Sequence, residues 1–516
     1  LVGNPSAEDL GGYLARIGSA EKKMKSIHWR LAGIMGGALL IRCLFLQSRG
    51  IQYDDAFSIF LSQRPLAQIV SGTAADTMPP LYYFLLHSWG LVSGELWWLR
   101  LFSVSLSLAS IALLYGVTRR LAGENAGLWA ALLAAISPLQ IYHAQDLRMY
   151  ALTTCLVMGY LYFFVRLWQR EGRQRIGDWA GVILCSAAAL YAHNLAGFLL
   201  LSPYVFLLFR KAWKWIFRLG LAHTASLVLF SPWLILLPGQ VEKIQVAFWT
   251  PRPGVVEVIQ AGLLSAANLP LASNWLLTAA ILSLGSLCLV GLEWWRRRKN
   301  LGGVALLAWA AVLPGLLLFL LSYLMRPLFV PRAFLAAYLA WDGLAGWAIW
   351  QAWKKGGGKV LLGLFVLAAG VTLPYQLTFS NFPRSPFQAA MVDLAAEQQA
   401  GDVIIHDNKL SFFPAHFYAP GLAQKFLGDE PGSTNDTYAA ISQQAIGLIP
   451  QESLEQAAEG YERVIYLVFM QTLADFEALG ASQHPGLAWL ESRGRLERVE
   501  SWNDFQAYTY RMEPVK

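Results

Sequence analysis

Long apolar runs separated by short polar connections dominate the chain from residue 31 to residue 377. A run of about 20 apolar residues is long enough to cross a bilayer core. The pattern predicts eleven membrane spans, of which the fifth and sixth are short and share a break at His193-Asn194. The spans are Leu31–Leu46, Leu96–Val117, Ala126–Tyr142, Leu147–Leu167, Trp179–Tyr191, Leu195–Phe209, Leu219–Leu237, Trp275–Trp295, Val304–Tyr323, Ala333–Trp353 and Val360–Leu377.

The pattern changes after the last apolar run. Asp402–His406 and Arg463–Val468 are short runs rich in β-branched residues, which predict buried strands, and Phe505–Tyr510 alternates as a third strand does. Helices are expected at Gln388–Gln399 and Ser453–Glu459. We therefore expect a mostly α, polytopic membrane protein with a small C-terminal α/β domain.

The expected organisation has three parts, and Met24 is expected to be the natural start, with an extension before it. The parts are an N-terminal cytoplasmic segment at 1–30, a transmembrane domain at 31–378 with long outer loops at 47–95 and 238–274, and a soluble domain at 379–516.

Composition supports the membrane assignment, since 56% of the 516 residues are hydrophobic and 14% are charged, against roughly 25% charged in soluble domains. The net charge of +7 divides unevenly: residues 381–516 hold 9 basic and 18 acidic side chains, and the rest holds 31 and 15. The four cysteines all lie in apolar runs, which argues against disulfides and a cysteine metal site.

Basic clusters fall on alternate connections between the spans, which predicts that this side is cytoplasmic. A multi-pass protein of the cell (inner) membrane, with its C-terminal domain outside, follows. Because the clusters serve orientation, we expect no nucleic-acid partner. The clusters are Lys22 to Arg30, Arg119-Arg120, Arg166 to Arg175, Arg210 to Arg218, Arg296 to Lys299 and Lys354 to Lys359.

Asp54 and Asp55 head the first outer loop, next to a span. Such an acid is costly unless it works or lies in water. A carboxylate there can accept a proton from a hydroxyl nucleophile or hold a divalent cation. Since sequence neighbours rarely point the same way, one is expected to be catalytic and the other to cap a helix starting near Ala56. The alternative is that both aspartates only cap the helix or face solvent.

A second outer turn, His143–Tyr150, packs Asp146, Arg148 and Tyr150 closely. Its charges are expected to pair with each other or to face a cavity. The planar fork of an arginine binds two phosphate oxygens at once, which makes Arg148 a candidate phosphate ligand. An Asp–Arg pair that merely locks the turn is the alternative.

The remaining outer candidates are His193, Arg326 and Arg332. His193 is either an interfacial residue or a ligand of substrate or cation. Two arginines on the outer side oppose the usual charge bias, so an anion site is expected, with Arg332 the better candidate. No cofactor is certain, and a divalent cation is left open, with Asp54, Asp146 and His193 as its candidate ligands.

Acids on one wall of a cavity and arginines on the other suit sugar transfer from a lipid phosphate. The leaving group is a stable phosphate, so it needs cations more than a general acid. A carboxylate would deprotonate the acceptor hydroxyl as it attacks the anomeric carbon, through an oxocarbenium-like transition state by analogy with glycosidases. One such displacement inverts the anomeric configuration.

From Leu31 to Leu377 the chain resembles the GT-C glycosyltransferases, in the branch of protein O-mannosyltransferases and the aminoarabinose transferase. The resemblance rests on Asp54-Asp55 after the first span, Met78-Pro79-Pro80-Leu81-Tyr82-Tyr83, the Asp146, Arg148, Tyr150 motif, His193, Phe248-Trp249-Thr250-Pro251 and Pro331-Arg332. It implies that Asp54 is the catalytic base or sits at the reaction centre, and that Tyr82 and Trp249 contact substrate. Relatives often carry His or Lys at the position of Met78, so here phosphate binding would fall more heavily on Arg148 and Arg332.

The resemblance implies an inverting hexosyl- or pentosyltransferase that uses a polyprenyl-phosphate sugar donor, with membrane lipids around it and a protein, lipid or glycan acceptor. An inactive accessory subunit of a membrane complex is one alternative, which Met78 supports. A transporter or lipid flippase is the other, and it predicts inverted repeats and ionisable groups at mid-span. Acids and arginines gathered at one face favour the enzyme.

Overall fold

Helices form most of the chain, and a five-stranded sheet lies near its C-terminus. The structure, a computed structural model, describes residues 26–170, 174–246, 250–325, 327–378, 384–429 and 440–513. Up to residue 378 the helices are α1 (26–43), α2 (Tyr53–Ser62), α3 (Leu66–Ala75), α4 (Leu81–Gly90), α5 (Leu96–Ala122), α6 (Glu124–Ile136), α7 (Pro138–Ala144), α8 (Tyr150–Gln169), α9 (Ile176–Ala192), α10 (Ala196–Leu199), α11 (Ser202–Phe209), α12 (Trp213–Leu234), α13 (Leu237–Val246), α14 (Val255–Leu263), α15 (Ser273–Arg297), α16 (Ala305–Leu324), α17 (Leu335–Ala352) and α18 (Gly357–Thr378). Short 3₁₀ helices lie at Gly302–Val304, Pro331–Phe334 and Trp353–Lys355.

Five helical runs in the described ranges are long and apolar enough to cross a membrane: α5, α8, α15, Gly302–Leu324 and α18. The α12 helix and the start of α13 meet at 63° and form a sixth if they are one broken span. Other predicted spans are helical but shorter, such as α6 and α9. A mostly helical membrane protein is confirmed, and the count of eleven spans stays a prediction.

The predicted span Ala126–Tyr142 is divided between α6 and α7, because Pro138 begins α7. Proline has no N–H, so the carbonyl of Ala134, four residues earlier, loses its helical donor. Arg42 of α1 replaces that donor: its guanidinium donates to the carbonyl oxygens of Ala134 at 3.0 Å and Ala135 at 2.9 Å. A buried arginine thus binds α1 to the break between α6 and α7.

A second buried arginine, Arg100 of α5, holds the connection between α1 and α2. Its guanidinium donates to the carbonyl oxygens of Leu46 at 2.5 Å and Arg49 at 2.6 Å. Buried carbonyls outside regular structure need such donors. The start of the first long loop is therefore attached to the bundle.

The helical pieces expected in this loop are present as α2 and α4. The α2 helix begins at Tyr53 rather than near Ala56, so Asp54 and Asp55 lie in its first turn. The N-terminus of a helix favours negative charge, because its backbone N–H groups and dipole point there. The start of α2 therefore favours the negative charge of both carboxylates.

The sheet has the strand order β2-β1-β3-β5-β4, in which β2, β1 and β3 are parallel and β5 is antiparallel to β3 and β4. The three expected strands are present as β1, β3 and β5. The other two were not predicted, since β2 has only three residues and β4 is mostly exposed and charged. The strands are β1 (Asp402–His406), β2 (Gln424–Phe426), β3 (Arg463–Phe469), β4 (Gly494–Trp502) and β5 (Phe505–Met512).

Among the described residues, six helices accompany the sheet, and the two expected ones are α19 and α22. The set is α19 (Phe387–Glu397), α20 (Lys409–Tyr418), α21 (Ala440–Ile446), α22 (Leu454–Ala458), α23 (Met470–Ala478) and α24 (Pro485–Arg493). The predicted mixture of helices and strands is confirmed. The extracytoplasmic placement of residues 379–516 and the other division points stay predictions.

The sheet region packs on the first long loop through α20. Phe413 stacks on Tyr53 of α2 with ring centroids 5.2 Å apart. The hydroxyl of Tyr418 accepts a hydrogen bond from the backbone N–H of Ile51 at 2.8 Å. Both segments share one apolar cluster. The C-terminal region is therefore fixed against the start of α2, where the two aspartates lie.

We expect Gly346→Ala to lower the free energy of unfolding by about 1–3 kcal/mol, the usual effect of overpacking. A Cβ at Gly346 of α17 would lie 2.4 Å from the backbone nitrogen of Ala130 of α6. Gly363→Ala in α18 is the matched control, because a Cβ there meets no atom within 4 Å. Thermal unfolding in detergent measures both, and equal midpoints would contradict the close approach of α6 and α17.

Candidate functional site

A cavity of about 790 Å³ lies where the first long loop, the turn before α8, the break after α9 and the segment before α17 meet. Leu410 and Phe469 from the sheet region form part of its wall. Residues distant in sequence therefore converge as expected, although their chemical roles stay predictions. The predicted residues that line the cavity are Asp54, Asp55, Asp146, Arg148, Tyr150, His193 and Arg332.

Asp146 is held on both carboxylate oxygens. One oxygen forms a buried salt bridge with the guanidinium of Arg49, and the other lies 2.9 Å from Nδ1 of His143. Burial alone would raise the pKa of Asp146, but the charge of Arg49 and the hydrogen bond from His143 hold it well below its usual range. These two contacts therefore favour the charged form of Asp146, and its ion-pair partner is Arg49 rather than the neighbouring Arg148.

The two adjacent aspartates have different surroundings. Asp55 is buried and accepts hydrogen bonds from the backbone N–H groups of Gln52 at 3.3 Å and Leu147 at 3.2 Å. It caps α2 and ties that helix to the turn before α8. The side chain of Asp54 is 35% exposed and faces the cavity, with a carboxylate oxygen 3.8 Å from the guanidinium of Arg148. Asp55 therefore has structural contacts, and the catalytic role expected of the other aspartate stays a prediction.

Arg148 lines the cavity beside Asp54. Besides Asp54, its guanidinium lies 3.4 Å from the hydroxyl of Tyr83 and 3.5 Å from Oγ of Ser58. Tyr82, the tyrosine chosen from the sequence, is not among the described residues of the cavity wall, and it packs on Phe102 instead. Successive helical side chains point about 100° apart, so only one of the pair can reach Arg148.

Arg332 lines the cavity near Tyr150. Its guanidinium carbon lies 5.8 Å from the ring centroid of Tyr150, whose ring is 6.1 Å from that of His193. Burial, together with the charges of Arg148 and Arg332, lowers the pKa of His193 to about 3. Nδ1 of His193 accepts from the N–H of Leu195 at 3.1 Å. His193 is therefore a neutral imidazole that can donate through Nε2.

Four charged residues of the described wall were missed from the sequence: Arg49, Asp76, Lys243 and Arg384. Burial raises the pKa of Asp76 to about 6, against the opposing charge of Lys243. Arg384 donates to the hydroxyl of Tyr142. Asp76 closely precedes the double proline, which could have drawn attention to it. Lys243 and Arg384 stand in no recognisable motif and reach the cavity only through tertiary packing.

Two further candidates, Trp249 and Arg326, lie outside the described residues, so their roles stay predictions. In the part of the chain that the structure describes, no group of three or more His, Cys, Asp or Glu side chains is placed to hold a metal ion. Asp54, Asp146 and His193 line the same cavity without forming such a group. The divalent cation stays an open prediction.

Comparison with solved structures gives the class of the fold. ArnT from Cupriavidus metallidurans in the apo state superposes with a TM-score of 0.62 at 13% identity, over 94% of this chain and 98% of that one. The same protein bound to undecaprenyl phosphate gives 0.61 at 13%, over 93% and 97%. The Archaeoglobus fulgidus oligosaccharyltransferase tethered with an acceptor peptide gives 0.54 at 12%, over 94% and 74%. The chain has the fold of GT-C glycosyltransferases, and the expected resemblance is confirmed.

One protein-family model matches part of the chain. Residues 77–236 match the model described as dolichyl-phosphate-mannose-protein mannosyltransferase. The matched stretch includes the double-proline segment, the turn that carries Asp146 and Arg148, and His193. A search of curated proteins finds no match.

We expect Arg49→Met to lower the free energy of unfolding by about 3–5 kcal/mol, because it leaves the buried charge of Asp146 without its main partner. Chemical denaturation in detergent measures the change. The double variant Arg49→Met/Asp146→Asn removes both charges and should recover part of the loss. A single variant as stable as the wild type would show that the pair does not hold the site together.

Proposed function

We propose that this protein is an inverting glycosyltransferase that moves a sugar from a polyprenyl-phosphate donor to an acceptor hydroxyl at the outer face of the membrane. The observation that carries the proposal is the placement of one accessible carboxylate, Asp54, beside Arg148 and in the same cavity as Arg332. The GT-C fold, and undecaprenyl phosphate bound to a protein of similar fold, support it.

The reaction needs a base that accepts one proton. The acceptor hydroxyl attacks the anomeric carbon and forms the new C–O bond, and its proton passes to the carboxylate of Asp54. The bond between the anomeric carbon and the phosphate oxygen breaks, and its electron pair stays on the departing polyprenyl phosphate. Because attack and departure occur on opposite faces of the sugar, the anomeric configuration inverts.

The departing phosphate gains negative charge during this step. A donor phosphodiester carries one negative charge, whereas the polyprenyl phosphate product carries up to two. Fixed cations therefore bind the transition state and product better than the ground state, which accelerates departure. Arg148 and Arg332 supply such cations in the proposed site. Asp146 is committed to Arg49 and His143, so it shapes the site rather than taking the proton.

We expect Asp54→Asn to lower the rate of sugar transfer by a factor of about 10² to 10⁴, the usual contribution of a general base. The assay follows release of polyprenyl phosphate by the reconstituted protein, with membrane extract as the source of acceptor. Since Asp54 is partly exposed, the thermal unfolding midpoint should not change. Full activity in this variant would remove Asp54 from the mechanism.

We expect Arg332→Ala to raise the KM for the polyprenyl-phosphate donor about tenfold, through loss of a charged hydrogen bond to phosphate. Arg252→Ala serves as the control, because Arg252 is exposed and is not among the described residues that line the cavity. An unchanged KM in Arg332→Ala would mean that the phosphate lies elsewhere.

A further inference from the structure

Lys243 brings a primary ammonium group into the cavity from α13, a helix outside the motifs. It is the one lysine among the described residues that line the wall. Its Nζ donates to the carbonyl oxygen of Ala75 at 3.3 Å. Ala75 precedes Asp76, Thr77 and Met78, which line the same wall. The ammonium therefore lies beside the segment where Met78 provides no charge.

Two amides hold α13 in this position. Gln240, one helical turn before Lys243, donates to the carbonyl oxygen of Thr73 at 3.1 Å. Asn194, in the break after α9, donates to both Oε1 of Gln240 at 3.1 Å and the carbonyl oxygen of Thr77 at 2.7 Å. The break after α9, the α13 helix and residues 73–77 thus form one hydrogen-bonded unit, which directs Lys243 towards the cavity.

The cations of the wall lower the pKa of two neighbouring side chains, Asp76 and His193. The charges of Lys243 and Arg148 both lower the pKa of Asp76, against its burial. The charges of Arg148 and Arg332 both lower the pKa of His193. Lys243 lies at the segment that contains Ala75 and Asp76, whereas Arg332 lies beside Tyr150, whose ring is close to that of His193.

We propose that Lys243 is a third cation of the donor-phosphate site and binds the phosphate from α13, on the side of the cavity where Met78 carries no charge. The inference rests on the proposed function. Lysine suits this position because its compact ammonium sits on a flexible stem and can move from the Ala75 carbonyl to a phosphate oxygen. The charge of Lys243 opposes the effect of burial on the pKa of Asp76.

Binding of decaprenyl phosphate and of decaprenol, which lacks the phosphate, to the full chain in nanodiscs tests the proposal. We expect Lys243→Met to weaken decaprenyl phosphate binding about 10- to 100-fold, the loss typical of a charged hydrogen bond, and to leave decaprenol binding unchanged. Lys243→Arg should retain most of the affinity. Arg252→Met, at an exposed position, should bind as the wild type does.

The double variant Asp76→Asn/Lys243→Met separates phosphate binding from simple neutralisation of Asp76. It removes both charges, so it should fold normally and bind decaprenyl phosphate as weakly as Lys243→Met. Recovery of wild-type affinity in the double variant, or no loss in Lys243→Met, would overturn the inference while leaving the proposed function intact. A wild-type protein that does not distinguish decaprenyl phosphate from decaprenol would instead refute the phosphate site as a whole.

Discussion

The buried ion pair between Arg49 and Asp146 joins the two segments on which the site is built. Two charges leave water at a high cost, which only good geometry and further hydrogen bonds can offset. Here Arg49 also donates to the carbonyl oxygen of Tyr142 at 2.6 Å, and His143 occupies the second oxygen of Asp146. These further hydrogen bonds fix the position of both members of the ion pair. The ion pair joins the first loop to the turn before α8, and these two segments carry Asp54 and Arg148.

The acids around the cavity are not equivalent, and their partners explain why. Asp146 is bound by Arg49 and His143, and Asp55 is bound by backbone N–H groups. Asp54 keeps a water-accessible carboxylate beside Arg148, and Asp76 is buried near Lys243. Because His193 is neutral, the positive charge of the described wall comes from its arginines and its lysine. They balance the acids of the wall, and in the proposed function they bind the donor phosphate.

The sequence predicted those parts of the molecule whose structure depends mainly on the local pattern of apolar and polar residues. The strands β1, β3 and β5 carry continuous or alternating apolar residues, and the motif residues head loops next to apolar runs. The structure adds what depends on other segments. Tyr83 rather than Tyr82 reaches Arg148, because the rotation of α4 depends on its packing. Lys243 carries no local signal, and the charged surface of β4 conceals its pairing with β5.

The two apolar residues that the sheet region contributes to the cavity wall, Leu410 and Phe469, come from helix and strand termini far along the chain from the charged residues. Each follows or ends a parallel strand, where side chains change without disturbing the hydrogen bonds of the sheet. Substitutions at these two positions can therefore alter the apolar part of the cavity wall without changing its charged residues. Proteins with the same charged wall can in this way diverge in the size of the molecule they admit.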